Sequence, residues 1–103
     1  MKTLNEIQRQ LTLGQFEFSR HAFVRAVERN ISDAEIRQAG TQAVCIEDYP
    51  DDKYSPSVLL LGFSRQGRTL HFQVSYADTP RAKIITLYEP NEFEWTDDFS
   101  RRK

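Results

Sequence analysis

The stretch "TLHFQVSY", residues 69–76, alternates without a break: Leu70, Phe72, Val74 and Tyr76 fall on one side of an extended chain, Thr69, His71, Gln73 and Ser75 on the other. A strand with one apolar and one polar face has to bury the apolar one against a second layer. The upstream sequence can supply that layer. Leu4, Ile7 and Leu11 in "LNEIQRQL" repeat at spacings of three and four, one stripe of a short helix that Gly14 ends. In "QFEFS", Phe16 and Phe18 point the same way, so two or three extended residues deliver the chain to Ser19, a good N-cap for a second helix.

At about 100° per residue, that second helix carries His21, Arg25, Glu28 and Arg29 on one face and Ala22, Phe23, Ala26 and Val27 nearly opposite. Asn30 tolerates the left-handed conformation that stops a helix, and Ser32 to Glu35 has capping-box spacing, so a third helix begins at once. Ile36 and Ala39 turn inward before Gly40, which is expected to end it. From residue 43 the texture changes to β-branched and aromatic runs: "AVCIEDY", "SVLLLGFSR", "TLHFQVSYA" and "AKIITLYEP". Gln66–Gly67 suits a tight hairpin, and Pro80 sits outside the ladder in "ADTPR". The expected fold class is α+β, with N-terminal helices packed on a four-stranded, mainly antiparallel sheet. In that meander His71 and Gln73 share the polar face with Thr86 and Tyr88 of the neighbouring strand.

A chain of 103 residues with 39% hydrophobic and 28% charged content suits a single domain, residues 1–103, with one small core. No run approaches the roughly 20 apolar residues that cross a bilayer, and "MKTLNEIQRQL" lacks the basic-then-apolar order of a secretory leader. A cytoplasmic protein without membrane contact is expected. Cys45 has no second cysteine for a disulfide or zinc knuckle and is expected to be a small buried strand residue. The net charge of −1 excludes a uniformly basic nucleic-acid binder, because such affinity scales with the phosphates neutralised. Any polyanion site must be local, and residues 61–88, with four Lys/Arg against one acid, allow one.

Histidine titrates near neutrality and arginine grips phosphate through two parallel hydrogen bonds, so the row on the second helix has the ingredients of a phosphate site. The same row also reads as a solvated helix face with an internal Arg25–Glu28 neighbourhood. The acidic segment "EDYPDDKYSP" lacks the regular oxygen-ligand spacing of a calcium loop, and zinc ligation by His21, His71 and Cys45 would require those three residues to converge; neither metal nor other cofactor is expected. In the tail "NEFEWTDDFSRRK", residues 93–103 carry aromatics among acids: Trp95 docks on the domain, joins a partner surface, or frays.

The blocks "SRHAFVRAVERNIS", "IEDYPDD" with "YSPSVLLLG", "LHFQVSYAD" and "IITLYEP", in this order over roughly residues 16–92, resemble a bacterial family of short domains of unknown function. Such domains look like RelE-like toxins, comparable to the MqsR and BrnT toxins, and are often encoded beside a zinc-ribbon antitoxin. The resemblance implies a toxin-type endoribonuclease, acting on free or ribosome-bound mRNA and paired with an antitoxin protein. Metal-independent RNA cleavage needs a base for the 2′-hydroxyl, an acid for the departing 5′-oxygen and cations on the phosphate. Residues suited to proton transfer are His71, Tyr88 and His21; those suited to holding substrate are Arg25, Arg29, Glu28 and Gln73, with His21 as a further phosphate contact. The alternative is a non-catalytic protein-binding domain or an inactive nuclease-derived module.

Overall fold

The computed structural model describes all residues 1–103. It is an α+β fold with three helices against a mixed five-stranded sheet. Helix α1, Leu4–Thr12, is capped by Thr3, whose hydroxyl accepts from the Glu6 N–H, and it buries Ile7 and Leu11. Helix α2, Arg20–Glu28, is capped by Ser19, and helix α3, Asp33–Thr41, has the complete Ser32/Glu35 capping box. Asn30 between them takes φ +54°. The strands β2 (Val44–Tyr49), β3 (Ser57–Phe63), β4 (Thr69–Ser75) and β5 (Ala82–Tyr88) form the expected antiparallel meander.

The sheet differs from the expectation of four strands. Phe16–Phe18 is itself a strand, β1, lying parallel to β5 with Phe16 opposite Ala82 and Phe18 opposite Ile84, and the order is β1-β5-β4-β3-β2. Three residues are too few for alternation to announce a strand, and the parallel pairing comes from the long connection through the helices and the meander. Two further expectations are corrected. Gly40 lies inside α3 rather than at its end, because a Cβ there would come within 2.4 Å of the Leu11 Cβ: the glycine lets α3 press against α1. Cys45 is exposed, on the edge strand beside an irregularity where Ile46 has no partner of its own.

The face of the sheet carrying Leu60, Leu70, Phe72, Val74, Ile84 and Leu87 packs with the helices into one core. On α2 only Ala22 and Ala26 are buried; Phe23 and Val27, on the side away from the His21–Arg29 row, stand 57% and 64% exposed. The opposite sheet face is less polar than the alternation in β4 suggests. Register places Leu59 beside Gln73 and Leu61 beside His71, so two buried leucines share it. The C-terminal residues cover it: β6, Trp95–Thr96, pairs with β7, Arg101–Arg102, and Trp95 is buried. The tail is thus docked.

Arg68, just past the β3–β4 turn, joins three segments. One terminal nitrogen donates to the Asn30 carbonyl at 2.9 Å and to both Glu35 carboxylate oxygens at 3.0 and 3.1 Å; the other donates to the Arg29 carbonyl and to Glu89, each at 2.7 Å. It therefore satisfies carbonyls left open at the end of α2. Arg68→Ala removes bonds to two carboxylates and two carbonyls and is expected to destabilise the domain by about 2 kcal/mol. Urea unfolding of wild type and variant measures this, and an unchanged midpoint would contradict the assigned role.

Candidate active site

Helix α2 is held to the sheet at both ends. At its start the Ser19 N–H donates to the Ile84 carbonyl and its hydroxyl to the Ile85 carbonyl, at 2.9 and 2.7 Å, while the same oxygen accepts from the Ala22 N–H. At its end stands Arg68. So fixed, α2 presents His21, Arg25 and Arg29 across the last residues of β5, and a cleft of about 340 Å³ opens between them and Thr86, Tyr88, Glu94 and Trp95. Four of the sequence-derived site residues, His21, Arg25, Arg29 and Tyr88, line this one cleft.

The cleft is of mixed charge, with Arg25 and Arg29 on the helix side and Glu89 and Glu94 on the other. Arg25 and Arg29 form no ion pair, nor does the neighbouring Arg20, so the Arg25–Glu28 neighbourhood yields no neutralising salt bridge. Glu28 is exposed and outside the cleft. Glu89 at the rim is engaged by Arg68. Gln73 lies in an adjoining hollow with His21 and Thr86, its amide nitrogen donating to the Ser57 hydroxyl at 2.8 Å.

His71 sits beneath the cleft, 0% exposed. Its Nε2 lies 2.8 Å from the Phe99 carbonyl and its Nδ1 3.2 Å from the Tyr88 hydroxyl. A carbonyl can only accept, so Nε2 carries the hydrogen; in the neutral ring Nδ1 then accepts from the Tyr88 O–H. Burial pulls the His71 pKa below its ordinary 6.5, which keeps the ring neutral near pH 7. Burial likewise raises the Tyr88 phenol. Tyr88 thus connects the open cleft to a buried neutral imidazole.

The tail holds this pair in place. Trp95 packs edge-on against the His71 ring, centroids 4.4 Å apart, and the Arg102 guanidinium lies 4.6 Å over the Trp95 ring. Arg102 also donates twice to the Glu47 carboxylate, at 3.2 and 3.0 Å, and Tyr49 donates to the same carboxylate. Burial and that carboxylate push the Tyr49 phenol up to about 12. Asp97, Asp98 and Phe99 all take positive φ in the β6–β7 turn that brings the Phe99 carbonyl to His71. Reading residue types does not reveal a backbone carbonyl as a partner; the aromatic tail was the available signal for Trp95, and nothing in the local pattern marks Arg68, Glu47 or Arg102.

Residues 18–89 match a family described as "Domain of unknown function (DUF4258)", and the chain belongs to that family. The match is slightly shorter than the 16–92 span of the resemblance; it includes all of α2, His71, Gln73 and Tyr88, but neither α1 nor the C-terminal hairpin. No curated protein and no solved structure matches the chain. No helix is long and apolar enough to cross a membrane.

Two groups couple hairpin docking to pH with the same sign. Arg102 hydrogen bonds hold the Glu47 pKa below its ordinary 4.5, so that contribution is present above 4.5 and lost as pH falls through the lower folded value. For His71, the unfolded ring gains its proton near 6.5 while the buried ring resists it, so stability also falls as pH drops below 6.5. Emission from Trp95, the only tryptophan, is expected to shift to the red between about pH 6 and about pH 4 as the hairpin loosens. A spectrum constant over that range would contradict this coupling.

Proposed function

We propose that this domain is a metal-independent endoribonuclease of the toxin type with a RelE-like architecture, the active partner of a toxin–antitoxin pair. The observation carrying the reading is the convergence of two unpaired arginines, a histidine and a histidine-linked tyrosine in one cleft. Arg25 and Arg29 hold the non-bridging phosphate oxygens. Tyr88 takes the 2′-hydroxyl proton as its own passes to Nδ1 of His71, whose Nε2–H stays on the Phe99 carbonyl. The 2′-oxygen attacks phosphorus and the bond to the 5′-oxygen breaks. His21, in its protonated form, gives that oxygen a proton. The products are a 2′,3′-cyclic phosphate and a 5′-hydroxyl, with His71 protonated and His21 neutral until solvent resets both.

In this assignment His71, Tyr88 and His21 move protons, Arg25 and Arg29 bind phosphate, Gln73 flanks the site, and Glu28 borders it from outside. Depression of the His71 pKa supports its use as an acceptor at neutral pH, since the base must be unprotonated to work. RNA, free or ribosome-bound, is the proposed substrate.

A second reading, a non-catalytic protein-binding domain, draws on a different feature. Phe23, Val24 and Val27 stand 57%, 47% and 64% exposed on α2, an apolar ridge next to the unpaired arginines. Exposed large apolar residues in one row suit a protein contact, and the adjacent cations suit an acidic one. The readings combine if an antitoxin sits on that ridge and covers the cleft.

Induced without a partner, the wild-type chain is expected to arrest growth and degrade RNA. Arg25→Ala and Tyr88→Phe each lower cleavage by about 100-fold, because each removes one transition-state group; Arg25→Ala leaves the melting temperature unchanged, whereas Tyr88→Phe lowers it without unfolding the domain, because it leaves Nδ1 of His71 unpartnered. Cleavage against pH is expected to be bell-shaped, because His71 must be unprotonated and His21 protonated, with the rising limb, which follows His71, centred below 6.5. Growth curves, total RNA gels and thermal melts of the three proteins check this; unaffected growth and intact RNA with the wild type would favour the binding module or an inactive nuclease.

A further inference from the structure

The hollow beside the phosphate cleft has a volume of about 460 Å³ and shares His21 and Thr86 with it, so the two adjoin at those residues. Its chemistry is unlike that of the cleft. Tyr54, 53% exposed, lines it from the β2–β3 loop, and the Asp52 carboxylate fixes that loop by accepting from the Tyr54 and Ser55 N–H groups at 3.0 and 3.4 Å. Ile85, the extra residue between the partners of Gln73 and Val74, adds an apolar side. Ser19 and Arg20 line its helix side, and two uncharged polar groups face them. Gln73 is anchored through its nitrogen to Ser57, leaving its carbonyl oxygen without a protein partner, and the Thr86 hydroxyl makes no protein hydrogen bond.

An exposed aromatic ring, an apolar side and free hydrogen-bonding groups at the edge are what a flat heteroaromatic ring requires. We propose that this hollow holds the nucleobase adjoining the phosphate bound by Arg25 and Arg29, stacked on Tyr54 and contacted at its edge by Gln73 and Thr86. The proposal deepens the ribonuclease reading and rests on it for the phosphate. It also gives a preference. The Gln73 carbonyl accepts only, so it favours a base presenting an exocyclic amino group, and cytosine is preferred over uracil at similar size.

The test is fluorescence anisotropy with labelled pentaribonucleotides blocked by 2′-O-methylation, so that binding is read without cleavage. The probes are pentacytidine, pentauridine and a wholly abasic pentamer. Tyr54→Ala is expected to weaken pentacytidine about tenfold, Tyr54→Trp to restore it, and both to bind the abasic strand as the wild type does. Gln73→Leu is expected to abolish the preference for pentacytidine over pentauridine. Arg25→Ala weakens all three probes.

If Arg25→Ala weakens binding but Tyr54→Ala does not, or Tyr54→Ala weakens the abasic strand equally, the base site is wrong while the phosphate site stands. If wild type binds none of the probes, the RNA reading fails and the base site with it. Cytidine monophosphate binding as tightly as pentacytidine would make the hollow a free-nucleotide site and overturn the strand-binding proposal.

Discussion

The attachment of α2 at both ends governs the geometry of the candidate site. A nine-residue helix with only two buried alanines has little apolar area with which to fix itself, and helices this short are marginal alone. Polar bonds supply the position instead: Ser19 grips the β5 carbonyls at the start, and Arg68 gathers the Arg29 and Asn30 carbonyls at the end while tying them to Glu35 and Glu89. The small alanines allow α2 to approach β5 closely, which leaves His21, Arg25 and Arg29 standing over its last residues. Arg25 and Arg29 are consequently not spent on structural ion pairs.

A second constraint operates beneath the cleft. Burying an imidazole requires partners for both nitrogens, since an unsatisfied buried polar group costs about 1–3 kcal/mol. His71 has Tyr88 on one side and a carbonyl from the C-terminal hairpin on the other. The hairpin, outside the family-matched span, thereby fixes the tautomer of a residue inside it. The Trp95 and Arg102 stack and the Arg102–Glu47 pair hold the hairpin down, so the proton acceptor proposed here depends on residues remote in sequence.

Much of this architecture was legible in the residues. Ser19 as cap, the Ser32/Glu35 box, Asn30 as helix stop and the meeting of His71 and Gln73 with Thr86 and Tyr88 on one sheet face follow from local chemistry and period, and all are present; the register, His71 opposite Tyr88 and Gln73 opposite Thr86, comes from the structure. What escaped sequence reading depends on distance along the chain. β1 is too short to declare itself, and its partner lies some sixty residues on. Gly40 resembles a helix stop because its close contact with Leu11 belongs to another helix. Within the apolar side of α2, period alone does not separate Ala22 and Ala26, which fill the contact, from Phe23 and Val27, which stand exposed. The row His21, Arg25, Arg29 was readable as a row; that it faces Tyr88 rather than open solvent follows from the turn and crossover that return α2 to β5.

The most direct measurement is the chemistry of the ends. Purified domain, in chelator, would be incubated with a single-stranded RNA and with the same sequence as 2′-deoxy nucleotides, and the products identified by mass spectrometry. The account predicts RNA fragments ending in 2′,3′-cyclic phosphate and beginning with 5′-hydroxyl, and an intact deoxy strand. Uncut RNA, 5′-phosphate ends, or equal cutting of the deoxy strand would contradict it.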